Sequence, residues 1–245
     1  MSQSQKLETA VVTGAGSGIG RGIAQALSAM GMRVALVGRD PKKLEATQAL
    51  LANGDRAILA PCDVADRGAI KQMVKTVEAA FSSIDVLVSN AGTNVRNRGL
   101  DVLTPEDWDL MIATNLTGTF NLLHEVLPGM RARKNGLVVQ VCSISGLRAS
   151  TLGGAGYSAS KFGQAALGLC LGREERERGI RSTVIYPGEV NTPILDNRPV
   201  PVGQERRAAI LQPEDVASAV KFLVELHPRA RVPELVLTPT VDDFC

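Results

Sequence analysis

Aromatic side chains are scarce in this sequence: five Phe, two Tyr and one Trp make up 3% of the chain. With so few, no basic run is interleaved with stacking residues, and nothing points to nucleic acid as a partner. Charge of either sign is also not in excess, with 27 Lys and Arg against 25 Asp and Glu. The densest clusters, RARK at 131–134 and REERER at 173–178, read as solvated helix faces. Histidine is nearly absent. His124 and His227 are the only two, and neither lies near a Ser or Cys in a nucleophile-elbow context. A Ser–His–Asp hydrolase and a His-built metal centre are thereby disfavoured. Cys62, Cys142, Cys170 and Cys245 are spaced neither as zinc ligands nor as a CxxC pair, so no metal is expected and a reducing compartment is the simple reading. No apolar run approaches the length of a membrane span, and the N-terminal MSQSQKLETA is polar with no apolar segment behind it. The expectation is a cytoplasmic protein with no membrane partner.

What is present is a regular alternation. Hydrophobic residues are 44% of the 245, enough for the core of one large α/β domain spanning 1–245. Short runs rich in Val, Ile and Leu predict strands at Thr9–Thr13, Arg33–Gly38, Arg56–Ala60, Ile84–Ser89, Leu137–Ser143, Ile180–Tyr186 and Glu234–Thr238. Their continuity suits strands buried on both faces. About six helical segments separate them. Asp40-Pro41 places a cap before a proline at the first helical position and opens a helix to about Ala52. Thr104-Pro105 opens a long helix ending near Arg133, and Gln212-Pro213 opens another. The pattern predicts a Rossmann-type, doubly wound parallel sheet of seven strands with helices on both faces. A Pro-rich stretch at 187–211 reads as a substrate-binding loop or lid.

TGAGSGIG, residues 13–20, follows the first strand and opens the next helix. Such a turn lets backbone N–H groups approach a pyrophosphate at a helix N-terminus. Gly14 can make the tight turn, Gly18 admits the phosphates, and Gly20 lets the helix pack on the sheet. Further along, Tyr157 and Lys161 stand four residues apart in GYSASKFGQ and share a helix face. A free tyrosine, with a pKa of about 10, is a poor acid/base at neutral pH. A neighbouring ammonium favours the phenolate, so Lys161 is expected to lower that pKa.

The glycine spacing together with Tyr157-x-x-x-Lys161 resembles the short-chain dehydrogenase/reductase family over essentially the whole chain. Cys62-Asp63-Val64 looks like the family segment whose Asp contacts the adenine. Asn90-Ala91-Gly92 resembles its NNAG motif, with Ser89 in place of the first Asn. Asn115 in TNLTG resembles the active-site Asn, and Ser143 in VCSISG the catalytic Ser. Pro187-Gly188 with Thr192 resembles the PGxxxT motif at the nicotinamide end. The resemblance implies catalysis by Asn115, Ser143, Tyr157 and Lys161. It implies cofactor binding by Gly14, Ser17, Gly18, Ile19, Gly20, Arg39, Asp63, Val64, Asn90, Ala91 and Gly92, by Tyr157 and Lys161 again, and by Pro187, Gly188, Val190 and Thr192. In it Tyr157 protonates a carbonyl oxygen, Ser143 holds that oxygen, Lys161 binds the ribose, and Asn115 supports a water leading from Lys161 to solvent. Ser143 lies one residue further from Tyr157 than is common in the family, and Ser145 is the rival.

An acid about twenty residues past the glycine turn selects NAD in this kind of fold. Asp40 falls near that distance, but the discriminating position, the end of the second strand, is Gly38. Asp40 is accounted for by helix capping. Gly38 leaves room for a 2′-phosphate and Arg39 can pair with it, so NADP(H) is the expected cofactor. The substrate pocket should be walled by Ile144, Ser145, Leu152, Gly188, Glu189, Ile194 and Leu195, with Asn94 to Arg98 at its mouth. Arg96 and Arg98 could meet an acidic substrate. The ending VPELVLTPTVDDFC looks more like those of 3-hydroxy-acid and serine dehydrogenase-like members than of 3-oxoacyl carrier-protein reductases. Family members usually pair long helices, so a homodimer or homotetramer is implied through 105–133 and 157–178. The implied activity is NADP(H)-dependent carbonyl reduction or alcohol oxidation on a small molecule. The alternatives are a catalytically silent dinucleotide sensor, or an epimerase or dehydratase, on the same fold.

Overall fold

The computed structural model describes residues 6–242; Cys245 and the first five residues of the polar N-terminal stretch lie outside them. Seven strands form one sheet: β1 (Thr9–Thr13), β2 (Arg33–Gly38), β3 (Ala57–Pro61), β4 (Val86–Ser89), β5 (Gly136–Val141), β6 (Ile180–Pro187) and β7 (Glu234–Leu237). The order is β3-β2-β1-β4-β5-β6-β7, and every pairing is parallel. The strand runs are continuous because neighbouring side chains go to opposite, equally covered faces. Val12, Leu36, Val88 and Val139 enter one core, while Val11, Val37, Leu87 and Val138 enter the other.

Helices α1 (Gly18–Ala29) and α8 (Pro213–Glu225) cover the first face, with Ile23, Leu27, Val216 and Val220 fully buried. The second face is covered by α3 (Arg67–Phe81), α5 (Gly118–Arg133) and α6 (Ala155–Glu174). Alpha-helix 6 rides close to the sheet on small residues. A Cβ at Gly168 would collide with Val184 and Gln140 across the interface. The proline-led starts hold. Asp40 caps α2 (Pro41–Gln48) by accepting from the Lys42 and Lys43 N–H groups, and Thr104 caps α4 (Pro105–Met111) by accepting from Asp107 N.

Several features differ from the sequence expectation: β4 starts at Val86 rather than Ile84, and β5 ends at Val141 rather than Ser143. Helix α2 stops at Gln48 rather than near Ala52. The long helix from Pro105 is interrupted by a π-helical stretch, Ile112–Thr117, between α4 and α5. The loop 187–211 contains a 3₁₀ turn, Pro193–Asn197, and a short helix α7 (Gln204–Ala209). The direction in which successive strands are added reverses between β1 and β4, so the carboxyl ends of those strands open a crevice. That switch point is where open α/β sheets bind ligands.

Candidate active site

The crevice is built on Thr13, the last residue of β1. Its hydroxyl accepts from the N–H groups of Asn90 (2.9 Å) and Ala91 (3.0 Å), and Asn90 Nδ2 donates to the Thr13 carbonyl at 2.9 Å. The Asn90-Ala91-Gly92 turn is thereby locked against the glycine-rich turn. Gly18 sits at φ +50°, where a side chain is strained, and a Cβ there would stand 3.0 Å from the Thr192 methyl. At Gly20 a Cβ would run into the Gly14 carbonyl. Ser17 precedes α1 but its hydroxyl makes no cap bond, and the first turn of α1 carries no acid. Its N–H groups therefore face an anion-ready cleft. The cleft runs past Gly14, Ser17, Gly18 and Ile19 to Gly38, Arg39 and Lys43 at one end, and past Asp63, Val64 and Asn90 to Gly92 and Thr192. Asp40 reaches the same cleft, but its carboxylate is engaged at the start of α2. Asp63 accepts from Ala65 N at 3.0 Å. This donor-rich, glycine-cradled shape fits a dinucleotide.

At the other end of the crevice the sheet delivers Ser143, two residues past β5, and α6 delivers Tyr157 and Lys161 from its first two turns. Ser143 lines the same cavity as Tyr157, and its hydroxyl accepts from Ser145 N at 3.1 Å. Ser145 is buried, and its hydroxyl lies against Gly153. Lys161 is also buried. Its ammonium donates to Gln164 Oε1 (2.8 Å) and the Val141 carbonyl (3.3 Å), and lies 5.7 Å from the centre of the Tyr157 ring. Burial lowers the Lys161 pKa.

One expectation is corrected here. The Tyr157 pKa is not lowered but pushed up to about 12, chiefly by desolvation, with the neighbouring Ser143 hydroxyl acting in the opposite direction. The ring is only part-exposed, on the wall of the cavity. Lys161 does not offset the desolvation because its ammonium is turned to Gln164 and Val141.

Asn115 lies in the π-helical stretch and is fully buried. Its side chain accepts from Thr93 N (2.8 Å) and donates to the Thr93 carbonyl (3.0 Å) and to Ser160 Oγ (2.9 Å). Its backbone carbonyl accepts from Thr119 Oγ1, which also meets Ser89 and Gln164. A buried polar chain thus links Ser89, Thr119, Gln164 and Lys161. Sequence reasoning missed Thr13, Thr93, Ser160 and Gln164. The available signal was the polar positions Ser160, Lys161 and Gln164 on the buried face of α6.

Beyond Tyr157 the cavity is walled by Ile144, Ser145, Leu152, Gly188, Glu189, Ile194 and Leu195. Pro187, Val190 and Thr192 line it where it meets the cleft. Gly188 N donates to the Leu237 carbonyl at 2.7 Å, fixing this loop to β7. Arg96 is exposed, whereas Arg98 is buried and faces the cavity. Arg198 and Arg206 also face it, both paired with Glu189 at 2.6 Å.

The fold and this site define a dinucleotide-binding α/β protein with a tyrosine and a lysine at the reacting end of its crevice. Residues 8–200 match the model of the short chain dehydrogenase family, and the chain belongs to that family of oxidoreductases. It is 31% identical over 243 residues to an uncharacterized oxidoreductase of Listeria monocytogenes, covering 96% of this chain and 97% of the relative. Among solved structures it resembles an alcohol dehydrogenase from the archaeon Thermococcus sibiricus complexed with 5-hydroxy-NADP. There the TM-score is 0.86 at 29% identity, over 96% of this chain and 98% of that one. The closed form of a serine dehydrogenase complexed with NADP+ aligns with a TM-score of 0.87 at 28% identity, over 96% of each chain. No described helix is long and apolar enough to cross a membrane.

Proposed function

We propose that the protein is an NADP(H)-dependent carbonyl reductase and alcohol dehydrogenase acting on a small molecule. The observation that carries this reading is the convergence of Ser143, Tyr157 and Lys161 on one cavity that meets the dinucleotide cleft at Ile19, Asn90, Gly92 and Thr192. The cofactor would lie on the α1 N-terminus, held by Gly14, Ser17, Gly18, Ile19, Gly20, Asp63, Val64, Asn90, Ala91 and Gly92, with Pro187, Gly188, Val190 and Thr192 at its nicotinamide end. When bound it supplies or accepts a hydride at the substrate carbon. Tyr157 gives its phenolic proton to the carbonyl oxygen as the carbon is reduced, and takes one from the hydroxyl in the reverse direction. Ser143 donates to the same oxygen and stabilises the charge that develops there. Lys161 contributes a buried positive charge beside the phenol, and Asn115 positions α6 through Ser160.

The preference for NADP(H) is supported by Gly38, Arg39 and Lys43 at the far end of the cleft, and by the commitment of Asp40 to its helix cap. The two solved relatives described above carry NADP forms. We further propose a single domain over 1–245, a cytoplasmic location and assembly into a homo-oligomer.

The test is NADPH absorbance across a panel of ketones, aldehydes and oxo acids, with Tyr157→Phe beside the natural protein. Turnover should fall by roughly 10²–10⁴ in the variant while NADPH binding, followed by fluorescence, is kept. Tight NADPH binding with no turnover of any carbonyl by the natural protein would identify a sensor instead.

A further inference from the structure

We infer that the substrate of this reductase bears a carboxylate, which Arg98 and Arg198 bind on the wall of the cavity. The inference rests on the reductase reading and adds the class of substrate. Among the described residues lining the cavity, three guanidinium groups, Arg98, Arg198 and Arg206, face two carboxylates, Glu189 and Asp242. The carboxylates are already shared. Glu189 pairs with Arg198 and Arg206 at 2.6 Å, and Asp242 pairs with Arg206. Arg98 makes no ion pair among the described residues, although it is only 8% exposed. Its donors go to neutral backbone: Nε to the Val95 carbonyl (2.9 Å), one terminal nitrogen to Leu152 (2.8 Å) and the other to Asn197 (2.7 Å). A guanidinium carries five N–H groups, so these three bonds leave two for a ligand.

A buried cation without a counter-charge is costly, and proteins pair such groups. Burial first, and then the neighbouring Arg198 charge, lowers the Arg98 pKa. A bound carboxylate would relieve both, replacing lost solvation and screening the repulsion between the two guanidinium groups. The three carbonyl bonds also hold the group still, tying the 95–98 loop to the segments carrying Leu152 and Asn197. That pre-sets the planar fork that matches a carboxylate. Arg98 and Tyr157 line the same cavity, so one small molecule held there can meet both. The carbonyl is held at Ser143 and Tyr157, and the carboxylate a few bonds away at Arg98. Reduction then converts an oxo acid to a hydroxy acid, with hydride added to carbon, proton to oxygen, and the reduced nicotinamide oxidised.

The experiment compares short 3-oxo and 4-oxo acids with their methyl esters, using NADPH. The acids should be turned over with roughly ten- to a hundredfold higher kcat/KM, the range of a hydrogen bond to a charged group. In Arg98→Met the ratio of acid to ester should fall toward one, through the KM of the acid. Arg198→Gln should reduce the same ratio less, because Arg198 already has Glu189 as a partner. Since Arg98 also ties loops together, a readout independent of turnover is included. Butanoate should bind the protein loaded with NADP+ in calorimetry, and the uncharged butanamide should not. Equal turnover of acid and ester with no butanoate binding would overturn the inference and leave the reductase standing. Butanoate binding without turnover of any carbonyl would keep the anion site and sink the reductase reading.

Discussion

Tyr157 is where one side chain decides the chemistry. A free phenol is already protonated at neutral pH, and the protein around Tyr157 disfavours the phenolate further, extending the protonated range toward about 12. In the cofactor-free protein it is therefore a proton donor in waiting rather than a base. The raised pKa also has a consequence for stability. The folded state holds this proton more tightly than the unfolded chain, whose tyrosine titrates at about 10. The contribution is complete below pH ~10 and is lost as pH rises toward about 12. Difference spectroscopy of the tyrosinate band, natural protein minus Tyr157→Phe, should show one phenol titrating near that upper value. Titration at or below the ordinary value would contradict the desolvation account. The adjacent serines offer a second check. Ser143 lines the cavity with Tyr157 and stands two residues past β5, whereas the Ser145 hydroxyl packs on Gly153. Ser143→Ala should cost roughly 10²–10³ in kcat, as removal of an oxyanion donor does. Ser145→Ala should leave kcat within a fewfold. The reverse ranking would move the catalytic role to Ser145.

At the scale of the element, the proposed preference for NADP(H) rests on the end of β2 and the start of α2. Strand pairing brings Gly38 beside Pro61, and the chain turns immediately into the Asp40-capped helix. Arg39 is left exposed at the cleft with Lys43 one turn along. Arg39→Ala should raise the KM for NADPH roughly tenfold or more, the loss of a charge-assisted pair, and leave that for NADH nearly unchanged. Equal effects on both cofactors would assign Arg39 to stacking on adenine. These elements were readable in the sequence because their signals are local: a proline after a capping residue, and an unbroken apolar run between turns. The π-helical stretch Ile112–Thr117 was not. It coincides with the burial of Asn115 against Thr93 and Ser160, contacts that span 22 and 45 positions. A periodicity read along one helix carries no record of such partners.

Across the whole molecule the same limit separates Arg96 from Arg98, which are alike in sequence and opposite in surroundings. Only the convergence of the segments around Val95, Leu152 and Asn197 buries one of them. The glycine-rich turn, Asn90-Ala91-Gly92, Ser143 and Pro187-Gly188 were legible because they follow or end strands whose apolar runs were legible. The outer surface poses a different question. Trp108, Leu110, Phe120 and Phe162 are each 38–46% exposed on α4, α5 and α6. Phe222 and Val236 are similarly exposed on α8 and β7, and α8 covers the other face of the sheet from α5 and α6. Large apolar side chains on both sides of the sheet support the proposed homo-oligomer: two self-complementary interfaces there would together close it into a tetramer. Light scattering after size exclusion should accordingly give four times the 25.9 kDa chain mass. The double variant Phe120→Glu, Phe162→Glu should give a smaller species, because it places charges in a desolvated patch. Phe222→Glu should leave pairing through α5 and α6 intact and yield a dimer. A natural protein that runs as a monomer at micromolar concentration would refute both interfaces, and those apolar residues would then be ordinary exposed surface.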